Sequence, residues 1–198
     1  MMAKAHITVG MAAAASIMMP RDIAGALPVI AGASLGCLIC DIDCDNKSEK
    51  ADSARWRKVM AAVALAALIE DHLLDAGIWR SIGQNGSYLW FAGLAGFILT
   101  CTFAGLSNHR GFSHSLLALA LESLSLWLIF PVLMKPFAIA FISHQILDIM
   151  NKKPVRLLYP VRRGSCLDWF YADRLADKLV AAGGSLWLII TAAVCMRG

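Results

Sequence analysis

Two histidines, an arginine and a serine stand together in Asn108-His109-Arg110-Gly111-Phe112-Ser113-His114, a short polar break between two long apolar runs. Imidazole binds metals and carries protons near neutral pH, and guanidinium clamps carboxylates or phosphates through paired N–H donors. Together they suit metal-assisted hydrolysis of an anionic ester. His109 and His114, five apart, lie about 140° apart on a regular helix. They converge only if His109 sits in the loop and His114 in the opening turn of the next helix. Gly111 is expected to permit that bend and Ser113 to cap the helix.

Other residues have matching chemistry. His144 and Asp148 stand at i and i+4, on one face of a helix. They make a workable chelating pair, because neutral imidazole and ionised carboxylate both bind Zn²⁺ or Mn²⁺. A hydrogen bond that merely satisfies two polar groups is the alternative, but ionisable groups near a membrane are costly and usually functional. Asp41-Ile42-Asp43 closes an apolar segment, and in a turn both carboxylates can point at one centre; in isolation the motif reads as helix termination with solvated charge. His6 opens the first apolar segment, where a lone histidine otherwise reads as an interfacial or core residue. Arg110 either pairs with Asp41 or binds an anionic oxygen of a substrate. His6, Asp41, Asp43, His109, His114, His144 and Asp148 thus offer ligands for one or two divalent ions, zinc first, with manganese or magnesium as alternatives. Arg110 and Asp43 are the candidate catalytic residues, and no nucleophilic serine is needed.

The elements that must position these groups are apolar. The chain has 198 residues, 59% hydrophobic and 16% charged, with a mean hydropathy of +0.64, which excludes an ordinary soluble domain. Apolar segments are expected at residues 6–19, 23–40, 59–69, 88–106, 113–134, 137–150 and 181–196. Lys135-Pro136 is expected to turn the chain between the fifth and sixth. The run 7–19 could pass for a signal peptide, but Pro20-Arg21-Asp22 reads as a turn into a second helix, so it is taken as an uncleaved first helix. Cys37, Cys40, Cys44, Cys101, Cys166 and Cys195 show no repeated pairing and read as free thiols. Glu70-Asp71-His72 reads as a solvated helix end. Trp169-Phe170-Tyr171 with Arg174 and Lys178 reads as an interfacial amphipathic helix facing lipid headgroups. No nucleic-acid-binding motif is present, and nucleic acid is not expected as a partner.

If every segment crosses the bilayer, His6, Asp41, His109 and Asp148 fall on one side with fourteen of the eighteen lysines and arginines. The positive-inside rule makes that side cytoplasmic. The prediction is an all-α polytopic membrane bundle, one domain over residues 1–198, with six to seven apolar helices and its polar site at their cytoplasmic ends.

The order of blocks resembles a known family. Lys4-Ala5-His6, an apolar helix ending in Leu35-Gly36 and Asp41-Ile42-Asp43, then His109-Arg110-Gly111-Phe112-Ser113-His114-Ser115, His144 with Asp148, and Leu157-Leu158-Tyr159-Pro160 are similar to the motifs of the YdjM family of inner-membrane-associated metal-dependent hydrolases. The resemblance covers residues 5 to 162. It implies a helical bundle of the bacterial inner membrane and distant similarity to zinc-dependent phospholipase C and its nuclease relatives, hence phosphoester hydrolysis at a metal centre. The family commonly has Pro-Asp-hydrophobic-Asp-His where this chain has Cys40 and Cys44 at the proline and histidine positions. Cys44 either substitutes as a thiolate zinc ligand or marks a weakened site.

Three functions are compatible with these residues. The first is a membrane-bound metal-dependent hydrolase acting on an anionic phosphoester, lipid-linked if the site opens at the bilayer surface, with membrane lipids as partners. The second is a cation transporter or channel using the same His/Asp cluster as its transport site; ligands near helix ends rather than at mid-depth favour the enzyme. The third, a centre built on Cys37, Cys40 and Cys44, lacks a second cysteine pair.

Overall fold

The computed structural model describes residues 3–43, 47–107, 110–169 and 174–197. These hold seven α-helices and no strand: α1 Ala3–Met18, α2 Ile23–Ile39, α3 Lys47–Leu74, α4 Ser87–Leu106, α5 Leu116–Ile129, α6 Pro131–Met150 and α7 Arg174–Cys195. A 3-10 turn, Cys40–Asp43, prolongs α2, and another, Phe112–His114, precedes α5.

The chain's own chemistry sets the boundaries. Asp22 caps α2 by accepting the Gly25 N–H at 2.6 Å. Ser115 caps α5, accepting from the Ala118 N–H at 3.0 Å while its hydroxyl donates to the Phe112 carbonyl at 2.7 Å. Pro131 opens α6 at a position where no intrahelical N–H is needed.

Several expectations need correction. The turn between the fifth and sixth helices falls at Phe130-Pro131, because Pro131 already supplies a helix start. Pro136 is carried inside α6, buried against α2. Helix α3 begins at Lys47 rather than at residue 59, its polar first half continuing into the apolar one. Lys178 lies within α7, which begins at Arg174, and Phe170 and Tyr171 lie outside the described residues.

Among the described residues, four segments are long and apolar enough to cross a membrane: Ile23–Asp43, Ser87–Leu106, Pro131–Met150 and Leu175–Cys195. This replaces the expected six to seven. Helices α1 and α5, at 16 and 14 residues, reach only about 24 and 21 Å against a hydrocarbon core of about 30 Å. More than half of the α2 and α6 spans is buried (56% each), but only 11% of α4 and 17% of α7. The first two are therefore the central pair, and the others present Phe91, Leu99, Leu186 and Ile190 outward.

The central pair runs parallel at a separation that side chains would prevent. A Cβ on Gly32 would meet the Leu133 carbonyl oxygen at 2.6 Å and Pro136 Cγ at 2.7 Å, and one on Gly36 would collide with the Phe137 carbonyl oxygen. Small residues at such a crossing let the backbones meet, and packing of this kind holds apolar helices together where lipid cancels the hydrophobic drive between them. Phe137, Phe141, Leu133, Leu27 and Ala31 fill the core around the crossing. Helix α1 joins α6 and runs parallel to α7, with Ser16 bonded to Thr191 at 2.9 Å and Cys195 Sγ 4.0 Å from Met19 Sδ. Helix α3 covers α2, and α4 pairs antiparallel with α5.

Gly36→Ala should therefore destabilise the bundle by about 1 to 3 kcal/mol through overpacking. Gly105→Ala, where an added Cβ meets nothing within 4 Å, should raise stability by up to about 1 kcal/mol from helix propensity alone. Thermal unfolding of both variants in detergent checks the opposite signs.

Candidate metal centre

The polar residues gather at one end of the bundle because each sits at an element's terminus on that end. His6 lies in the second turn of α1, Asp41 and Asp43 in the 3-10 turn after α2, His114 in the turn before α5, and His144 and Asp148 in the last two turns of α6. The segment 151–169 braces the His114 turn. The Arg156 N–H donates to the Arg110 carbonyl at 3.1 Å, the Leu116 N–H to the Leu157 carbonyl at 2.9 Å, and Tyr159 sets its ring edge-on to Phe112. The bend is formed at Gly111, as expected, with φ −92° and ψ −114°, outside the helical and extended regions, together with Arg110, which takes a left-handed φ of 62°. A non-glycine residue there costs of order 1 kcal/mol, which its side-chain bonds must offset.

Asp148 is the meeting point. Its Oδ1 lies 2.9 Å from Arg110 Nη2 and 3.6 Å from His6 Nε2; its Oδ2 lies 3.1 Å from His114 Nε2 and 3.7 Å from His144 Nε2. Asp41 approaches from the facing helix, with Oδ1 3.5 Å from His144 Nε2 and 3.9 Å from His114 Nε2. The His6 and His144 rings stack in parallel, 3.8 Å between centroids and 12° between planes. Two positive rings would repel at that distance, so the stack suits neutral imidazole, the form that ligates metals.

These distances distinguish a ligand set from a hydrogen-bond network. Hydrogen bonds between such atoms run at about 2.7 to 3.2 Å, and the contacts of His6 and His144 with the carboxylates are all longer. Donor atoms on one tetrahedral zinc, each about 2.0 to 2.2 Å from it, stand about 3.3 to 3.6 Å from one another. The approaches at 3.5, 3.6 and 3.7 Å fall at or beside that spacing. Among the described residues, buried His144 Nε2 has no hydrogen-bond partner, nor has Nδ1 of either His144 or His6. Among the described residues, His6, His144 and Asp148 form one group with donor atoms within 4.8 Å of one another, and Asp41, His114 and His144 form a second. They share His144. Nitrogen-rich, carboxylate-completed and buried, the set fits a divalent transition metal.

Asp43 belongs to neither group. It is buried on the far side of His114, where Ser113 Oγ donates to its Oδ2 at 2.5 Å and lies 2.8 Å from His114 Nδ1. A hydroxyl has one proton to give, so His114 Nδ1 must carry the hydrogen in that contact. The lone pair of His114 is thereby left on Nε2, facing Asp148 and Asp41. This carboxylate, hydroxyl and imidazole relay orients a ligand from behind.

The structure redistributes several roles expected from sequence. Arg110 pairs with Asp148, not Asp41, and its Nη1 donates to the Lys153 carbonyl at 2.7 Å. Ser113 is a site residue, and Ser115 is the cap. His109 and Cys44 lie outside the described residues. Arg57 was not anticipated: from α3 it donates to the Asp41 carbonyl at 2.7 Å and so fixes that turn. Its only sequence signal is its position in a basic stretch after Asp43, which by itself reads as solvated charge. Asp71, expected in a solvated helix end, is buried and accepts the Ile78 and Trp79 N–H groups at 3.1 and 2.9 Å, closing the turn after α3. Cys37, Cys40, Cys101, Cys166 and Cys195 are free thiols, as expected, and the Cys-based centre would include Cys44, which lies outside the described residues.

A helical bundle with apolar spans and a buried His/Asp cluster at one end of its central helices defines a membrane protein able to hold a metal ion. The chain belongs to the YdjM inner membrane protein family, whose model matches residues 1–196. Comparison with curated proteins and with solved structures gave no match.

Ser113→Ala removes the relay but no direct ligand. Zinc affinity of the purified protein should fall about 10- to 100-fold, measured by competition with a chromophoric chelator, while Ser113→Thr, which keeps the hydroxyl, should retain most of it.

Proposed function

We propose that this chain is a metal-dependent hydrolase of phosphoesters, spanning the inner membrane several times with its centre facing the cytoplasm. The observation that carries this reading is the convergence of Asp148, Asp41, His6, His114 and His144 in two groups that share His144, each with donor atoms within 4.8 Å of one another, at one end of the bundle. Those five residues would hold the ion. The nitrogen-rich set favours zinc, with manganese or magnesium as alternatives. A bound divalent cation supplies Lewis acidity towards a phosphoryl oxygen and towards water.

The remaining roles belong to the chain itself. Arg110 holds the Asp148 carboxylate in one orientation and places positive charge beside it, where an anionic phosphoryl oxygen would be stabilised. Asp43 acts through Ser113, keeping the His114 proton on Nδ1 so that Nε2 stays available. Asp43 is a positioning residue in this reading, and Arg110 both orients Asp148 and meets the substrate's charge.

The cytoplasmic orientation rests on fourteen basic residues against four. A fluorescent reporter fused after Lys153 should be active inside the cell, and a phosphatase reporter fused after Ile82 active outside it. Both positions reporting the same side would overturn this topology.

Purified protein should hydrolyse bis(4-nitrophenyl) phosphate only with a divalent ion present and lose the activity to a chelator. Asp148→Asn, which keeps the shape but not the charge of a ligand, should lower turnover at least about 100-fold. Cation flux through liposomes, with no hydrolysis of any phosphoester tried, would instead support transport through the same cluster.

A further inference from the structure

The connection between α6 and α7 leaves and re-enters the same end of the bundle. Both helices hold segments long and apolar enough to cross a membrane, Pro131–Met150 and Leu175–Cys195, so the chain between them emerges on one face. Its described part, 151–169, folds back as a hairpin. Val155 and Ser165 exchange backbone hydrogen bonds at 2.9 and 2.8 Å, and Gly164 lies so close to the facing strand that an added Cβ would meet Pro154 Cβ at 2.7 Å. The hairpin is pinned at the depth of the span ends. The Leu167 and Trp169 N–H groups donate to the Ile149 and Met150 carbonyls at 2.7 and 3.2 Å, and the Tyr159 ring stands edge-on to Phe103, 6.4 Å between centroids. Phe103 is three residues inside the end of the Ser87–Leu106 segment, about 4.5 Å along the helix axis. The hairpin therefore lies against the last turn of a span rather than beyond it.

Its turn carries two kinds of side chain. Leu158 and Val161 are exposed apolar residues, as is Phe103 beside Tyr159. Arg162 and Arg163 follow them. Lys152 is engaged with Asp168 at 3.5 Å, whereas Arg162 and Arg163 are exposed and form no ion pair among the described residues. We propose that this hairpin is a docking surface for anionic phospholipid, with Leu158 and Val161 in the boundary between headgroups and acyl chains and Arg162 and Arg163 on the headgroup phosphates. Apolar side chains at that depth gain from leaving water, and the long arginine stems carry their guanidinium groups back to the phosphate level. A guanidinium binds phosphate through two parallel N–H donors. A zwitterionic headgroup offers the same phosphate but cancels its charge, so two adjacent arginines favour a headgroup of net negative charge. A soluble polyanion would meet the arginines and leave Leu158 and Val161 without an apolar counterpart.

The inference rests on the reading that α6 and α7 cross the bilayer, and not on any hydrolysis. Full-length protein with p-benzoylphenylalanine in place of Val161 is reconstituted in nanodiscs of equal phosphatidylglycerol and phosphatidylcholine, irradiated, and its lipid adducts are identified by mass spectrometry. Phosphatidylglycerol adducts should exceed phosphatidylcholine adducts about fivefold or more, and Arg162→Gln combined with Arg163→Gln should bring the ratio to about one. Lysine at both positions, which keeps the charge, should retain most of the preference. Arg197→Gln, at the opposite end of α7, should leave it unchanged. Equal adducts of the two lipids in the parent protein, or a preference that survives the double glutamine substitution, would overturn the proposal. The same probe in place of Ile190, exposed on α7, separates this failure from failure of the spanning reading. Lipid at 190 with none at 161 would overturn the docking surface and leave the spans intact. No lipid at either position would remove the spans and the docking surface together.

Discussion

A buried carboxylate must be compensated, and Asp148 is compensated by four side chains from three parts of the chain. Arg110 binds one oxygen at 2.9 Å, His114 approaches the other at 3.1 Å, and His6 and His144 stand slightly farther off. Placing an ionised carboxylate in an apolar bundle costs roughly several kcal/mol even after relaxation. A single guanidinium offsets much of that for Asp148, but Asp41 and Asp43 add two further carboxylates at the same end. If the three histidines are neutral, negative charge exceeds positive in the immediate cluster, and a divalent cation is the natural counterion. Protonated imidazoles could supply the charge, but the parallel His6 and His144 stack disfavours two of them at once.

That electrostatic arrangement depends on a packing one. Asp41 and His144 face each other from α2 and α6, and the distance between their donor atoms is set by how closely those helices approach. Gly32 and Gly36 permit that approach, and Gly36 lies little more than one turn before Asp41. Helix α1 then lays His6 against His144, with Cys37 Sγ within 3.8 Å of the His6 carbonyl. The site therefore exists only in the folded bundle: no single helix carries more than two of the five ligand candidates. Apolar packing supplies the rigidity, and Arg110, Arg57 and Ser113 supply the orientation.

Much of this was legible in the sequence because the relevant signals were local. His144 and Asp148 sit on one helical face by spacing alone, and Asp41-Ile42-Asp43 announces itself as a polar end to an apolar run. The apolar blocks near residues 23–40, 88–106 and 181–196 became α2, α4 and most of α7. What could not be read depended on competition between neighbours. Ser113 and Ser115 are both plausible caps; the 3-10 turn ending at His114 moves the helix start, gives the cap to Ser115 and turns Ser113 towards Asp43. Pro131 and Pro136 are both plausible breaks, and only the fit of Pro136 against Gly32 shows that it is carried inside the helix. Fewer helices qualify as spans than the apolar blocks suggest, because α1 and α5 are short and α3, though 28 residues long, carries a polar first half. Asp43 and Asp41 look equivalent in the chain, yet the turn sends one towards His144 and the other behind His114.

The position of the cluster bears on what kind of protein uses it. A transport site must be reached alternately from both sides and is generally placed near mid-depth between rearranging helices. Here the ligand candidates occupy helix termini at one end, and the remaining length of α2 and α6 beyond them is closed by Leu27, Ala31, Leu133 and Phe137. The two central helices are also held at backbone contact through Gly32 and Gly36, which leaves little room to open a path between them without losing the packing that forms the site. The cluster is braced from behind by Ser113 and Asp43 and from the side by Arg110, which holds its geometry fixed. Fixed geometry serves chemistry on a bound group, because orientation is then established before the reaction rather than during it.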